Sequence, residues 1–458
     1  MNQQQTHWAK DAFFYHIYPL GFCGAPERNN FSSPSQDRLK KVSDWIPHMY
    51  ALGLDALYLG PLFESSAHGY DSADYFKVDR RLGSNADLGR LSAELHRSGI
   101  RLILDGVFNH VGRDFWAFRD VQQNGAASAY CGWFDGLRFG ETNPYGDAFT
   151  YTPWEGHYDL VHLNLRNPDV RAHLFAAVRT WVQEFDIDGL RLDVAYLLDM
   201  DFLQELSVFC RTLKPDFYLL GEVVHGDYSR WANPHTLDSV TNYEAYKGLY
   251  SSLVDRNYFE IAYTLNREFG PNGLYRNLPL YNFADNHDVD RVAAKLPDPA
   301  LLYPLYLLLF TMPGVPSIYY GSEFGLGGRR TPQDDRALRP ALDLEELQRS
   351  APQPHLLETI ARLSALRAEL PALRRGGYSQ LFVAAEQLAF ARFTNDEYVV
   401  VLLNAAETPA RFELDLPVRA SGAMDLLNDG ERFSLKDGRL VVEQVALRWG
   451  RVLQLEVS

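Results

Sequence analysis

The sequence predicts a parallel (β/α)8 TIM barrel with a small subdomain inserted after its third strand and a C-terminal antiparallel β-sandwich domain. Three observations predict it. Short apolar runs recur about eight times with amphipathic helical stretches between them. The runs are apolar on both faces, as strands covered by helices must be. After about residue 376 the helical period gives way to alternating and β-branched runs broken by turns.

The strand candidates are "AFFYHIY" (12–18), "ALYLG" (56–60), "RLILD" (101–105), "GLRLD" (189–193), "FYLLGE" (217–222), "LDSVTNY" (237–243), "LPLYNF" (278–283) and "VPSIYYG" (315–321). Helices fall between them. In "NPDVRAHLFAAVRTWVQEFDIDG", Asn167 is an N-cap and Pro168 suits the first helical position, and Val170, Leu174, Val178, Trp181 and Phe185 follow at three- and four-residue steps. "NADLGRLSAELHRSGI" places Leu88, Leu91 and Leu95 on one face and ends at Gly99. The segment 107–162 is rich in Gly, Trp, Phe and Tyr and too long for a simple loop. Residues 1–106 and 163–376 are therefore assigned to the barrel, 107–162 to the inserted subdomain and 377–458 to the C-terminal domain, with "RRGG" (374–377) as the joint.

Composition narrows the function. A formal net charge of −15 over 458 residues argues against nucleic acid or an anionic membrane surface and favours a neutral substrate. The chain carries 26 Tyr, 27 Phe and 8 Trp, flat side chains suited to stacking on sugar rings as well as to core packing. Cys23, Cys131 and Cys210 lie far apart and show no metal-ligand spacing, and the opening "MNQQQTHWAKDAFFYHIYPL" lacks the blocks of a secretory leader, so a cytoplasmic protein with reduced thiols is expected. "LLYPLYLLLFTMPGVPSIYY" is apolar, but Pro304, Pro313 and Pro316 interrupt it; a buried helix followed by a buried strand is expected rather than a membrane span.

In such a barrel chemistry sits at the C-terminal ends of the strands. The third strand ends in "DGVFNH" with Asp105, Asn109 and His110, the fourth in "RLD" with Arg191 and Asp193, and the fifth in Glu222. The seventh runs into "ADNHD" with His287 and Asp288. Singly these are ordinary cap, loop or ion-pair residues; together they crowd carboxylates at one mouth, where like charges repel unless a function retains them. Retaining glycoside hydrolysis needs such a set: one ionised carboxylate as nucleophile and one protonated carboxylic acid. Arg191, two residues from Asp193 on the same strand face, is expected to hold it ionised, and Glu222 after "YLLG" to begin in a more apolar setting. No HxH or HExxH spacing is present and the central arginine would repel a divalent ion, so no cofactor or catalytic metal is expected. Oxygen ligands around Asn109 leave a structural calcium open.

The motifs as a set resemble the α-amylase superfamily, glycoside hydrolase family 13. "DGVFNH", "GLRLDVA", "GEV" and "NFADNHD" match its four signature regions in order, and the resemblance runs from about residue 10 to the end. It implies Asp193 as nucleophile, Glu222 as acid/base and Asp288 as the carboxylate that grips and distorts the sugar. It further implies that Arg191 orients the nucleophile, that His110 and His287 bind hydroxyls, that Tyr70 stacks on the ring and that Asp105 supports the site. "FESSAHGYDSADY" and "GEVVHGDYSRW", which holds His225, look like neopullulanases, cyclomaltodextrinases and maltogenic amylases, and "DDRALRP" resembles an element from which Asp335 and Arg339 reach the second sugar. Tyr196-Leu197 stand where that group has Asn-Glu and Val224 replaces its Trp, so Tyr196 bears on the acceptor side of the cleft. A cyclic or branched substrate with α-1,6 links, as for the related cyclic maltosyl-maltose hydrolases, joins short α-1,4 glucans as an expected substrate. A transglycosylase or glucan isomerase of the same family is the alternative, followed by an inactive carbohydrate-binding relative. The expected partner is a neutral oligosaccharide, and a homodimer is compatible with the reading.

Overall fold

The computed structural model describes residues 7–332 and 334–457. Eight parallel strands form the central sheet: β1 (Phe14–Ile17), β2 (Ala56–Leu59), β3 (Arg101–Gly106), β4 (Gly189–Leu192), β5 (Tyr218–Gly221), β6 (Ser239–Val240), β7 (Tyr281–Phe283) and β8 (Val315–Tyr319). Their hydrogen-bonded order is β6-β5-β4-β3-β2-β1-β8-β7. The ends of that order meet: Thr241 bridges Tyr281 in parallel, and the Asn242 N–H donates to the Tyr281 carbonyl at 2.9 Å, which closes the barrel. Each predicted strand is found, and all but β3 are shorter than their apolar runs.

The helices form where the pattern puts them. Asn167 caps Pro168–Phe185 by accepting from the Asp169 N–H at 2.8 Å, and Val170, Leu174, Val178, Trp181 and Phe185 are buried against the sheet. Ser84 and Asp87 make a capping box at the start of Asn85–Arg97, whose Leu88, Leu91 and Leu95 face inward. The apolar stretch with three prolines is the buried helix Leu302–Thr311 running into β8, and among the described residues no helix is long and apolar enough to cross a membrane.

Between β3 and β4 the chain builds the helix Trp116–Asn124 and a three-stranded sheet of His110–Gly112, His157–His162 and Pro153–Trp154. Glu155 (φ 47°) and Gly156 (φ 86°) turn that hairpin with both residues left-handed, the geometry that matches strand twist in a two-residue loop. The hairpin tip overhangs the barrel mouth.

After the helix Pro371–Arg375 come eight antiparallel strands: β9 (Gly377–Val383), β10 (Gln387–Phe393), β11 (Tyr398–Asn404), β12 (Ala410–Asp415), β13 (Ala420–Asp425), β14 (Arg432–Ser434), β15 (Arg439–Val445) and β16 (Trp449–Val457). Six form one sheet in the order β9-β10-β11-β16-β13-β14, and β12 and β15 pair over it. Alternate residues of β10 and β11 serve two layers. Ala389, Val400 and Leu402 pack inside the sandwich against Phe412 and Val442, while Leu388, Phe390, Val399 and Val401 join the barrel's own core. Two fully buried arginines knit this junction through carbonyl oxygens. Arg392 donates to Thr311 at 2.6 Å and to Gly376 at 2.9 Å; Arg367 donates to Phe310 at 3.2 Å and to Gly314 at 2.6 Å. Both lie at the C-terminal end of the helix Leu302–Thr311, where backbone dipoles favour a cation.

Candidate active site

The β3–β4 register sets Arg191 directly beside Asp105 on the inner face of the barrel. Buried with its guanidinium in the axis, Arg191 serves three carboxylates. Nη1 donates to Asp105 Oδ1 at 3.0 Å and to Asp193 Oδ1 at 2.8 Å, and Nη2 lies 2.9 Å from Glu222 Oε2. Beneath them the Tyr58 hydroxyl donates to Asp105 Oδ2 at 2.7 Å.

Asp193 directly follows β4, and the next residue turns the chain in an unusual way. Val194 takes φ 40°, ψ 44°, a left-handed conformation that a β-branched side chain rarely adopts. This turn aims the Val194 N–H at Glu222 Oε2, 3.0 Å away. Oε2 of Glu222 is thus held twice, by Arg191 and by Val194. Its other oxygen, Oε1, meets the Tyr243 hydroxyl at 3.4 Å.

Electrostatics differ from the sequence expectation. Arg191 does not serve Asp193 alone, and Glu222 is not in an apolar setting, because the β4–β5 pairing brings both carboxylates within reach of one fork. Burial pushes the Asp193 carboxyl well above the usual carboxylate range against the pull of Arg191, and Glu222 and Asp105 push the same way. Three buried carboxylates around one cation favour retention of a proton by the group as a whole.

Asp288 sits apart from this fork. His287 Nε2 faces its Oδ2 at 3.0 Å and Arg339 donates to its Oδ1 at 3.2 Å. Burial would raise Asp288, but His287 and Arg339 outweigh it and hold the carboxyl far below the usual range. Arg339 is itself steadied by Asp335 at 2.9 Å, by the His287 carbonyl at 3.0 Å and by the Tyr18 ring beneath it, 4.6 Å to the centroid. Tyr70 stacks on His287 (centroids 5.6 Å apart, 9° between planes), and its hydroxyl contacts the His287 Nε2 and Asp105.

These groups open on one cleft of about 710 Å³ whose walls include Tyr70, His110, Asp193, Glu222, Asp288, Tyr196, Asp335 and Arg339. His110 is buried, its Nε2 4.0 Å from Asp193 Oδ2 and without a protein hydrogen-bond partner, so it faces the cleft with spare capacity. Asp105, Arg191 and His287 are buried behind that wall, while His225 is exposed and stands outside it; its ring leans on Tyr196 with centroids 5.6 Å apart. Its position in the motif suggested a direct role, but the loop after β5 turns it outward, leaving it to buttress Tyr196. Among the described residues no group of three or more His, Cys, Asp or Glu side chains is placed to hold a metal ion, while the Asn109 Oδ1 is buried without a partner.

Sequence reasoning missed Tyr243, Tyr18 and Trp154. Tyr243 follows the sixth strand and Tyr18 the first, the same strand-end rule that found the carboxylates. Trp154 is carried to the cleft by the hairpin tip, its ring 5.4 Å from that of His110, and nothing in its local sequence signals that.

The profile of the alpha amylase catalytic domain matches residues 16–352 of this chain. The chain belongs to the α-amylase family of glycoside hydrolases. This α-amylase-family chain is 32% identical to the cyclomaltodextrinase of Geobacillus thermopakistaniensis over 96% of its length and 76% of that protein. It is 33% identical to neopullulanase 2 of Thermoactinomyces vulgaris over 94% of its length and 76% of that protein. Among solved structures it resembles the cyclic α-maltosyl-(1→6)-maltose hydrolase of Arthrobacter globiformis, with a TM-score of 0.81 and 30% identity, covering 98% of this chain and 99% of that one.

Proposed function

We propose that this family member hydrolyses α-glucosidic bonds, α-1,4 and/or α-1,6, in short or cyclic maltose-type oligosaccharides with retention of configuration. The observation that carries the reading is the single guanidinium of Arg191 holding Asp193 and Glu222 in the cleft that Asp288 also lines. Asp193 attacks the anomeric carbon as the glycosidic C–O bond breaks, and Glu222 gives its proton to the departing oxygen. Oε1 carries that proton, because Oε2 is committed to Arg191 and Val194. In the second half Glu222 takes a proton from water, whose oxygen displaces Asp193 from the sugar and restores the enzyme. Asp288, held ionised between His287 and Arg339, accepts hydrogen bonds from sugar hydroxyls, and Tyr70 packs on the ring.

A neutral, hydroxyl-rich ligand suits a cleft of this composition in a chain of net charge −15. Three free cysteines, two of them buried, support a cytoplasmic setting. Product analysis on maltotetraose, a cyclodextrin, pullulan, panose and a cyclic mixed-linkage tetrasaccharide tests the proposal. Release of shorter sugars with the α configuration is expected, abolished in Asp193→Ala and reduced at least about a thousandfold in Glu222→Gln. Products longer than or isomeric with the substrate would replace hydrolysis by transfer, and near-wild-type turnover in Asp193→Ala would end the assignment.

A further inference from the structure

Directly under the reactive carboxylates lies a small cavity of about 20 Å³, room for one water molecule. Its lining includes His16 of β1, Arg191, Glu222, Thr241, His287 and Ser317 of β8. Two buried nitrogens at this chamber have no hydrogen-bond partner in the protein, His16 Nε2 and His287 Nδ1. The two rings meet edge to face, with centroids 5.1 Å apart and planes at 90°, so they do not bond to one another directly. His16 is fixed from its other side by stacking on Tyr58 at 4.2 Å.

The protons on His287 follow from its other nitrogen. Nε2 faces the Asp288 carboxylate at 3.0 Å and the Tyr70 oxygen, while the Tyr70 hydroxyl proton is directed to Asp105 Oδ2 at 3.3 Å. Ionised carboxylates accept only, so both neighbours call for a proton on Nε2; in the neutral ring that leaves Nδ1 with a lone pair and in need of a donor. No protein donor reaches it. A buried lone pair left unanswered is costly, so a donor in the chamber is favoured.

We propose that a bound water occupies this chamber, donates to His287 Nδ1, and is held by His16 Nε2, making His16 a positioning residue. The chain from His16 through water to His287 keeps the Nε2–H of His287 aimed at Asp288, and so holds that carboxylate as the substrate needs it. His16 touches neither substrate nor the reacting atoms. The part of the inference that concerns turnover rests on the function proposed above; the part that concerns the water and the His287 proton does not.

The test pairs ¹⁵N spectroscopy of the histidine rings, without substrate, with kinetics of His16→Phe and His16→Gln, both checked for unchanged melting. In the wild type His287 is expected as the Nε2–H form with an unprotonated Nδ1, and in His16→Phe as a mixture of the two tautomers. On maltotetraose, His16→Phe is expected to lower kcat roughly tenfold with KM within about twofold, and His16→Gln, which can still bond the water, to recover to within about threefold. A wild-type His287 protonated at Nδ1 would overturn the proposal, as would a His16→Phe protein whose His287 signals are unchanged. If the ring signals behave as expected but no glucan is cleaved by the wild type, the functional reading fails and the water site stands. Should His16→Phe melt lower, His16→Gln against wild type decides alone: an unchanged His287 tautomer supports the proposal, and a mixed one overturns it.

Discussion

Arg191 Nη2 lies 2.9 Å from Glu222 Oε2 while Nη1 of the same side chain holds Asp105 and Asp193. A lysine ammonium is compact and lacks the planar fork, so it cannot reach all three carboxylates in these directions. Arg191→Lys is expected to fold and to lose at least about a hundredfold in kcat, the scale of losing a preorganised electrostatic contact. Arg191→Met leaves the buried carboxylates uncompensated and is expected to destabilise the protein by about 3–5 kcal/mol. Steady-state kinetics and denaturant titration check the two.

Tyr196 borders the cleft on the Glu222 side and is backed by His225. In the mechanism proposed above, the sugar that departs with the proton from Glu222 lies there. Tyr196→Ala is expected to raise KM for maltotetraose about three- to tenfold, the worth of one aromatic contact. α-Maltosyl fluoride, which has no departing sugar, should be cleaved as by the wild type, and equal losses on both substrates would contradict this placement.

Glu268 is buried on the helix Tyr258–Phe269, with Oε2 accepting from Asn242 at 2.9 Å and Oε1 without a partner. Burial pushes its carboxyl up from 4.5 to about 8. The folded state therefore binds the proton more tightly than the unfolded chain. That stabilisation is whole below pH 4.5 and falls by about 1.4 kcal/mol per pH unit until it is gone near pH 8. Glu268→Gln has no proton to lose. Its stability relative to wild type, measured by denaturant unfolding, is expected to rise by a few kcal/mol between pH 5 and pH 8.

His110 works in the opposite sense. Burial lowers its pKa from 6.5 to about 3, with His68 and His162 adding to the effect, so the folded state holds it neutral while the unfolded chain protonates it. Its contribution is full above pH 6.5 and is lost as the pH falls toward 3. His110→Gln should show a flatter acid limb in thermal melts between pH 6.5 and pH 4, and a limb as steep as wild type would assign that loss to other groups.

The barrel was legible because its eight strands are short apolar runs with helices between them. The carboxylates were legible because they stand where those runs end. What escaped was what depends on neighbours in space. The reach of Arg191 to Glu222 follows from how β4 pairs with β5 and from the left-handed turn at Val194. Val194 is an ordinary strand residue by type, and its conformation is imposed by the packing around the mouth. Tyr243 was hidden because its strand is only Ser239–Val240 and the residue already opens the next helix. His225 misled because a motif marks a place in the chain but not the direction of a side chain in a loop. Trp154 reaches the cleft only because Glu155 and Gly156 reverse the chain above it.

The arginines beneath the C-terminal sheet also bear on how this protein can be cut. Arg392 belongs to β10, yet it answers the carbonyl of Thr311, the last residue of a barrel helix, and those of Gly376 and Gly377 at the crossing between the two parts. A chain stopped at residue 376 would strip that cation away and bare the apolar face that Leu388, Phe390, Val399 and Val401 cover. The barrel is therefore not a transplantable module: swapping catalytic halves between relatives requires that the donor's terminal strands travel with it.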